Sequence, residues 1–207
     1  MEFYSNFYHF YPVTSYIYFK KEVFHLTKHK INYKSPIACC KISEALKEYM
    51  SDETIIVCIG TDKCIGDCLG PLVGSILIDN LFPLPIYGTL SHPIHALNID
   101  ARLDEIYKKH PNSPIIGVDA CLGDRSAIGE IHTRDYAIHP GKGVGKDLPE
   151  VGIASIIGIV DSVNNSQLFS SYSIRLSLVM DMAKLISNAL IEAYNLSKNN
   201  FSFNKNI

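Results

Sequence analysis

Two aspartates stand at the ends of apolar runs, and their positions could bring them into one site. Asp67 lies in the turn "GTDKCIGDCLG" after the apolar run 54–60, and Asp119 closes the apolar run "SPIIGVD". Paired carboxylates can share a proton, so that one acts as base on a water while the other acts as acid, or can hold a divalent metal with a third ligand. The alternative is local: Asp67 caps a helix and Asp119 accepts hydrogen bonds in a turn.

The turn around Asp67 does not fit a phosphate-binding loop. Neither G-x-G-x-x-G nor G-x-x-x-x-G-K-[ST] occurs between Gly60 and Gly74. A carboxylate at a helix start also occupies, with its own charge, the positive site that a phosphate would need. The glycines Gly60, Gly66 and Gly70 instead predict a tight turn and close helix packing that aim the carboxylate at a cleft.

Histidines and lysines supply further candidates. His92 and His95 follow the predicted strand 85–90, so an imidazole could assist proton transfer, although His95 could equally be a structural hydrogen-bonding residue. We expect His132, on a predicted edge strand, to be solvated. Lys142 and Lys146 lie in the glycine-rich loop 139–152, which could close over a substrate or remain a solvated loop.

The cysteines give weaker signals. Cys64 and Cys68 are separated by three residues, and a zinc site with Cys121 lacks the second close pair that such sites usually show. Cys121 could alternatively act as a nucleophile with His95, or be a small buried thiol.

Apolar runs and amphipathic runs follow one another along the chain, and they predict the strands and helices that must position these residues. Continuous apolar runs predict buried strands, and amphipathic runs between them predict helices, which together indicate a mostly parallel sheet with helices on both faces and an antiparallel edge strand. Ligands bind beyond the carboxyl ends of such strands. The predicted strands are 54–60, 85–90, 113–123, 129–137 and 153–160; the predicted helices are 35–50, beginning with a Ser35 cap and Pro36, then 69–82, 96–110 and 173–195.

Composition fits a single globular domain. The chain has 207 residues, a formal net charge of −2 and 47% hydrophobic residues, which disfavours nucleic acid as a partner. No apolar run reaches the roughly 20 residues of a membrane helix, and no signal peptide is apparent, so we expect a cytoplasmic protein. We divide the chain into an aromatic-rich segment of unassigned structure (1–34), one α/β domain (35–195) and a frayed tail (196–207).

Five segments in order resemble the YyaC-type sporulation proteins of spore-forming bacteria, over about residues 35–195: "CIGTDKCIGDCLGPLVG", "YGTLSHPIHALN", "GVDACLG", "HPGKGVGKDLPEVG" and "IRLSLVMDMAKLI". The resemblance implies a relation to the spore germination endopeptidase and, more distantly, to hydrogenase maturation endopeptidases, and with it a three-layer α/β/α sandwich. It implies that Asp67, in "GDCLGP", and Asp119, in "VDA", are catalytic carboxylates. In the hydrogenase relatives the acidic pair binds nickel with a later histidine, whereas the matching segment here, 152–160, offers Ser155.

The resemblance therefore implies a sporulation-associated peptidase that acts on a protein or peptide substrate through its aspartate pair. No metal site is assigned and no cofactor is required on this reading, with a divalent metal as an alternative if His92 or His95 substitutes for the missing histidine. We expect the cytoplasm of the mother cell or forespore, no membrane or nucleic-acid partner, and homo-oligomers as an open option. The rival hypotheses are a non-catalytic peptide- or partner-binding protein on the same fold, and a metal-binding sensor or chaperone. The predicted catalytic residues are Asp67, Asp119 and His95; the predicted substrate-binding residues are Gly66, Gly70, Lys142 and Lys146.

Overall fold

A computed structural model describes residues 28–141, 148–162 and 174–203, with side chains described as far as residue 199. In chain order its strands and α-helices are β1 (Lys28–Asn32), α1 (Ala38–Leu46), β2 (Ile55–Cys58), α2 (Leu69–Asp79), β3 (Ile86–Tyr87), α3 (Ile99–Lys109), β4 (Ile115–Gly123), β5 (Glu130–Arg134), β6 (Ala154–Ser162) and α4 (Leu176–Phe203). Short 3₁₀ turns cover Lys47–Tyr49, Gly66–Cys68 and Arg125–Ala127.

The strands form one mixed sheet in the order β1-β5-β6-β4-β2-β3. The pairs β2–β3, β2–β4 and β4–β6 are parallel, whereas β5 runs antiparallel to both β6 and β1. The predicted α/β architecture is confirmed. The predicted antiparallel edge of the sheet is confirmed as well, although β5, which was expected to be the outermost strand, has β1 paired with its outer side.

Helices cover both faces of the sheet and make three layers. On one face α1, α2 and α4 pack against alternate residues of β2, β4, β5 and β6, while α3 packs with Ile138 and Val151 on the other face. Strand β6 is buried at every position, which explains its continuous apolar run. Helix α4 buries Val179, Met182, Ile186 and Leu190 at three- and four-residue spacing, so its apolar face follows the helical repeat.

Two boundaries near the start of the domain differ from the sequence prediction. The sheet begins at Lys28, inside the segment left unassigned, and residues 1–27 lie outside the described part. Helix α1 begins at Ala38 with Ile37 at its N-cap rather than with a Ser35 cap. Ser35 contributes its carbonyl oxygen, which accepts the Ala38 N–H at 3.0 Å. Pro36 therefore lies in a turn before the helix.

The last helix is longer than predicted. It continues past residue 195 to Phe203, so residues 196–203 are helical rather than frayed. Ser197 is buried, and Asp52 accepts hydrogen bonds from the Tyr194 hydroxyl and the Lys198 ammonium. These contacts fasten the last turns to the body of the domain. Within the described ranges no helix is long and apolar enough to cross a membrane.

Candidate functional site

Asp67 lies in the 3₁₀ turn Gly66–Cys68, directly before α2 and beyond the carboxyl end of β2. The Thr61 N–H donates to the Asp67 carbonyl oxygen at 3.0 Å, and the Asp67 N–H donates to the Cys64 carbonyl at 3.1 Å. Gly60 has φ +137°, and a Cβ there would lie 1.9 Å from the Asp67 carbonyl oxygen. The strand end and the turn therefore meet through main-chain atoms, and only glycine fits between them.

The two glycines predicted to bind substrate are buried. A Cβ at Gly70 would lie 2.2 Å from the Ile59 carbonyl oxygen, so this residue lets α2 pack directly on the end of β2. Contact of Gly70 with a substrate stays a prediction, and in the fold its Cα faces the main chain of Ile59. Gly66 is enclosed in the turn that carries Asp67.

Asp119 was predicted to end its strand. This prediction is wrong, because Asp119 lies inside β4. The strand continues to Gly123, and the Asp119 Cα lies opposite Ile157 of β6. The Ala120 N–H donates to Asp119 Oδ1 at 2.8 Å. The neighbouring strand β2 ends at Cys58, one position before the level of Asp119, because Cys58 pairs with Val118. The carboxyl group therefore lies at the edge where β2 turns toward Asp67.

Both carboxyl groups are half-buried, and their charges interact. Burial raises the pKa of Asp67 to about 6, although a backbone hydrogen bond from Thr61 opposes this. The pKa of Asp119 is held well above its usual 3.8, first by burial and then by the charge of Asp67; the Ala120 hydrogen bond and the Arg134 charge act in the opposite direction. Asp67 therefore ionises before Asp119, and its negative charge then favours the protonated form of Asp119.

His95 lies near this edge without a hydrogen bond to either carboxylate among the described contacts. Its loop joins the end of β2, since Ile94 pairs with Ile59 and the Gly60 N–H donates to the Ile94 carbonyl at 2.7 Å. The Leu97 N–H donates to His95 Nδ1 at 3.3 Å, so the neutral imidazole carries its proton on Nε2. His92 is exposed, and its main-chain N–H donates to Thr89 Oγ1.

His132 and Ser155 are both buried and contact other protein atoms. His132 is 4% exposed and its Nε2 lies 2.8 Å from Glu130 Oε2, so the prediction that it is solvated is wrong; β1 and the neighbouring segments enclose β5. Ser155 is fully buried and its hydroxyl donates to the Tyr136 carbonyl at 2.9 Å. Lys142 and Lys146 lie outside the described residues.

Cys64 and Cys68 adjoin Asp67: the Asp67 N–H donates to the Cys64 carbonyl, and the charges of Cys64 and Asp67 both raise the pKa of Cys68. Cys68 is buried, its thiol donates to the Ile65 carbonyl at 2.9 Å, and burial raises its pKa to about 11, so it stays protonated. Cys121 is exposed rather than buried. Across the described ranges, no three His, Cys, Asp or Glu side chains are grouped so as to hold a metal ion.

Two charged residues that lie outside the sequence predictions are close to this edge. Arg134 ends β5 and acts electrostatically on Asp119. Asp161 is buried near the end of β6, opposite Leu122 of β4, and its Oδ1 accepts the Ser162 N–H at 2.8 Å. Asp161 could have been found, because it follows the apolar run 153–160 directly, whereas Arg134 lies in a strand that pairs only through long-range contacts.

Comparisons with known proteins identify the family. Residues 30–189 match the family described as "Protein of unknown function (DUF1256)". Among curated proteins, the chain is similar to the uncharacterized protein YyaC of Bacillus subtilis (strain 168), with 43% identity over 150 residues, which covers 72% of this chain and 73% of that protein. The chain therefore belongs to the DUF1256 family.

Proposed function

We propose that this protein is a peptidase that hydrolyses peptide bonds with the pair Asp67 and Asp119. The observation that carries the proposal is the placement of two half-buried carboxyl groups at the edge where β2 ends, close enough that the charge of Asp67 adds to burial in raising the pKa of Asp119. Pairs of this kind occur preferentially where acid and base chemistry is performed.

The order in which the pair ionises assigns a role to each carboxyl group. Ionised Asp67 accepts a proton from a water molecule as that water attacks the peptide carbonyl. Protonated Asp119 polarises the carbonyl and then donates a proton to the departing amine, after which the pair returns to its starting state by proton exchange. His95, in the adjoining loop, assists proton transfer in this proposal. The His95→Gln variant tests this role.

The proposed setting is spore formation, in the cytoplasm of the mother cell or forespore. The support is the resemblance of the five sequence segments to sporulation proteins and, through them, to the spore germination endopeptidase. The substrate is a protein or peptide, and the alternative is a protein on the same fold that binds a peptide or partner without cleaving it.

The test is to map new peptide termini in an extract of sporulating cells. The extract is incubated with the wild-type protein, with Asp67→Asn, with Asp119→Asn and with a matched control, Asp104→Asn, whose carboxylate is exposed on α3. Each arm is run with and without a chelator, because chelator sensitivity would show that a metal takes part.

We expect new termini from the wild type and the Asp104 variant, and at least a 100-fold lower rate from either site variant, the magnitude usual for loss of an acid or base. Cleavage by Asp67→Asn at the wild-type rate would refute the assignment. The binding protein would be supported instead if the wild type cleaves nothing but binds a peptide from the extract, and if both site variants lose this binding.

A further inference from the structure

Arg134 has an unusual environment for an arginine. Its side chain is half-buried, and its Cζ lies 5.5 Å from the centre of the Tyr136 ring. Within the described part of the chain, its Nε is buried without a hydrogen-bond partner, and no described carboxylate forms an ion pair with it. Buried charges are normally paired, so the guanidinium is available for an anion that residues 28–141, 148–162 and 174–199 do not supply.

The strand register locates this guanidinium beside the acidic pair. Arg134 pairs with Ser155 of β6, and Ser155 pairs with Gly117 of β4, two residues before Asp119. Residues in register, and residues two apart on one strand, share a face of the sheet, so Arg134 and Asp119 lie on the same face. Two strand spacings and two residue rises separate their Cα atoms by about 12 Å, and a long arginine side chain spans much of that distance.

Ser155 and Gly117 lie in register with Arg134, and Ile157 of β6 lies opposite Asp119 on the same face. Ser155 uses its hydroxyl to hold the Tyr136 carbonyl, which fixes the segment that carries the aromatic ring under the guanidinium. The Ile138 side chain covers Gly117. The Arg134 charge lowers the pKa of Asp119 in opposition to burial, although the two groups do not meet in an ion pair.

We propose that Arg134 binds a carboxylate of the substrate, so that the preferred substrates are peptides with an acidic side chain or a free C-terminus next to the scissile bond. The anion site is argued from the structure alone, whereas its position next to a scissile bond rests on the proposed function. A planar guanidinium stacked on an aromatic ring is suited to bidentate recognition of carboxylate. Protonation of Asp119 reduces the repulsion that such a substrate would otherwise meet.

Binding of short blocked peptides tests the proposal without requiring hydrolysis. The probes are acetyl-Ala-Ala-Ala with a free carboxylate against its C-terminal amide, and acetyl-Ala-Glu-Ala-amide against acetyl-Ala-Gln-Ala-amide. Affinities are measured by nuclear magnetic resonance titration, with the Arg134 Nε–H resonance as the local reporter. The variants are Arg134→Gln, Arg134→Lys and the control Arg102→Gln, whose arginine is paired with Glu105 in α3.

We expect a carboxylate probe to bind the wild type at least about 10-fold more tightly than its neutral partner, the ratio that one charge-assisted pair supplies. Arg134→Gln should abolish this preference, Arg134→Lys should retain part of it, and Arg102→Gln should leave it unchanged. The proposal is overturned if no carboxylate probe binds the wild type at millimolar concentration, or if a correctly folded Arg134→Gln protein keeps the preference.

The outcome separates this inference from the proposed function. Carboxylate preference that depends on Arg134, in a protein that cleaves nothing, would support the anion site and refute the peptidase. Cleavage at equal rates for acidic and neutral peptides, unaffected by Arg134→Gln, would support the peptidase and refute the anion site.

Discussion

Replacing Asp67 with asparagine should make the protein more stable at neutral pH while it removes the proposed activity. Asp67 titrates near 3.8 in an unfolded chain and at about 6 in the folded protein. A carboxyl group with a raised folded pKa binds protons more readily in the folded state, so its ionisation opposes folding as the pH rises from about 4 through 6. Asparagine carries no charge at any of these pH values, so it removes this opposition.

The magnitude follows from the size of the shift. A shift of about 2 units at about 1.4 kcal/mol per unit corresponds to about 3 kcal/mol at pH 7. Because the side chain is partly exposed and solvent screens its charge, we expect a gain of about 2 kcal/mol. For a domain of this size, such a gain raises the melting temperature by about 4–8 °C at pH 7, and the gain should fall close to zero at pH 4.

The assay is thermal and urea unfolding of the wild type, Asp67→Asn and Asp104→Asn between pH 4 and 8. The control removes an exposed carboxylate and should follow the wild-type curve throughout. Stabilisation that is equal at pH 4 and pH 7, or a loss of stability at pH 7, would refute the reasoning. Because the Asp67 charge raises the pKa of Asp119, the gain from Asp119→Asn should also be smaller in the Asp67→Asn background.

Three further results are expected. Gly60→Ala should lose at least about 2 kcal/mol of unfolding free energy and the proposed activity, because φ +137° and a contact of 1.9 Å exclude a Cβ; Gly129→Ala, also at positive φ but against Tyr33, should lose stability and keep activity in the same urea and cleavage assays. Thr133→Val should be neutral or stabilising by up to about 1 kcal/mol in urea unfolding, since the buried Thr133 hydroxyl has no hydrogen-bond partner within the described ranges, and a larger loss would reveal a partner for it. The rate of peptide cleavage should decline as the pH falls through about 6, where Asp67 takes up a proton; a rate that is constant from pH 7 to pH 5 would contradict the role of Asp67 as base.

The parts of the fold that the sequence predicted are those with local signals. The runs that became β4 and β6 are apolar because both faces of these strands are covered, and Pro71 falls in the first turn of α2, where proline is tolerated. The glycines around Asp67 also predicted a turn at the end of an apolar run, and this prediction needed no information about distant residues.

The missed features depend on contacts between distant parts of the chain. Strand β1 has no clear alternation, and its position is set by pairing with β5. The burial of His132 depends on segments distant in the chain, which a pattern along one strand cannot show. The interior position of Asp119 depends on the greater length of β4 relative to β2. Arg134 became a candidate only when the register brought it to the face of Asp119.

The main-chain contacts of the Asp67 turn limit how the site can move. The Gly60 Cα faces the Asp67 carbonyl and the Gly70 Cα faces the Ile59 carbonyl, so no side chain lies between them that could change rotamer and let the turn swing outward. Displacement of this turn must therefore carry α2 with it, away from a core that includes Leu69, Val73 and Leu77. The Thr61 amide, which bonds to Asp67, should accordingly exchange its hydrogen with solvent only in the rare openings that release the whole helix.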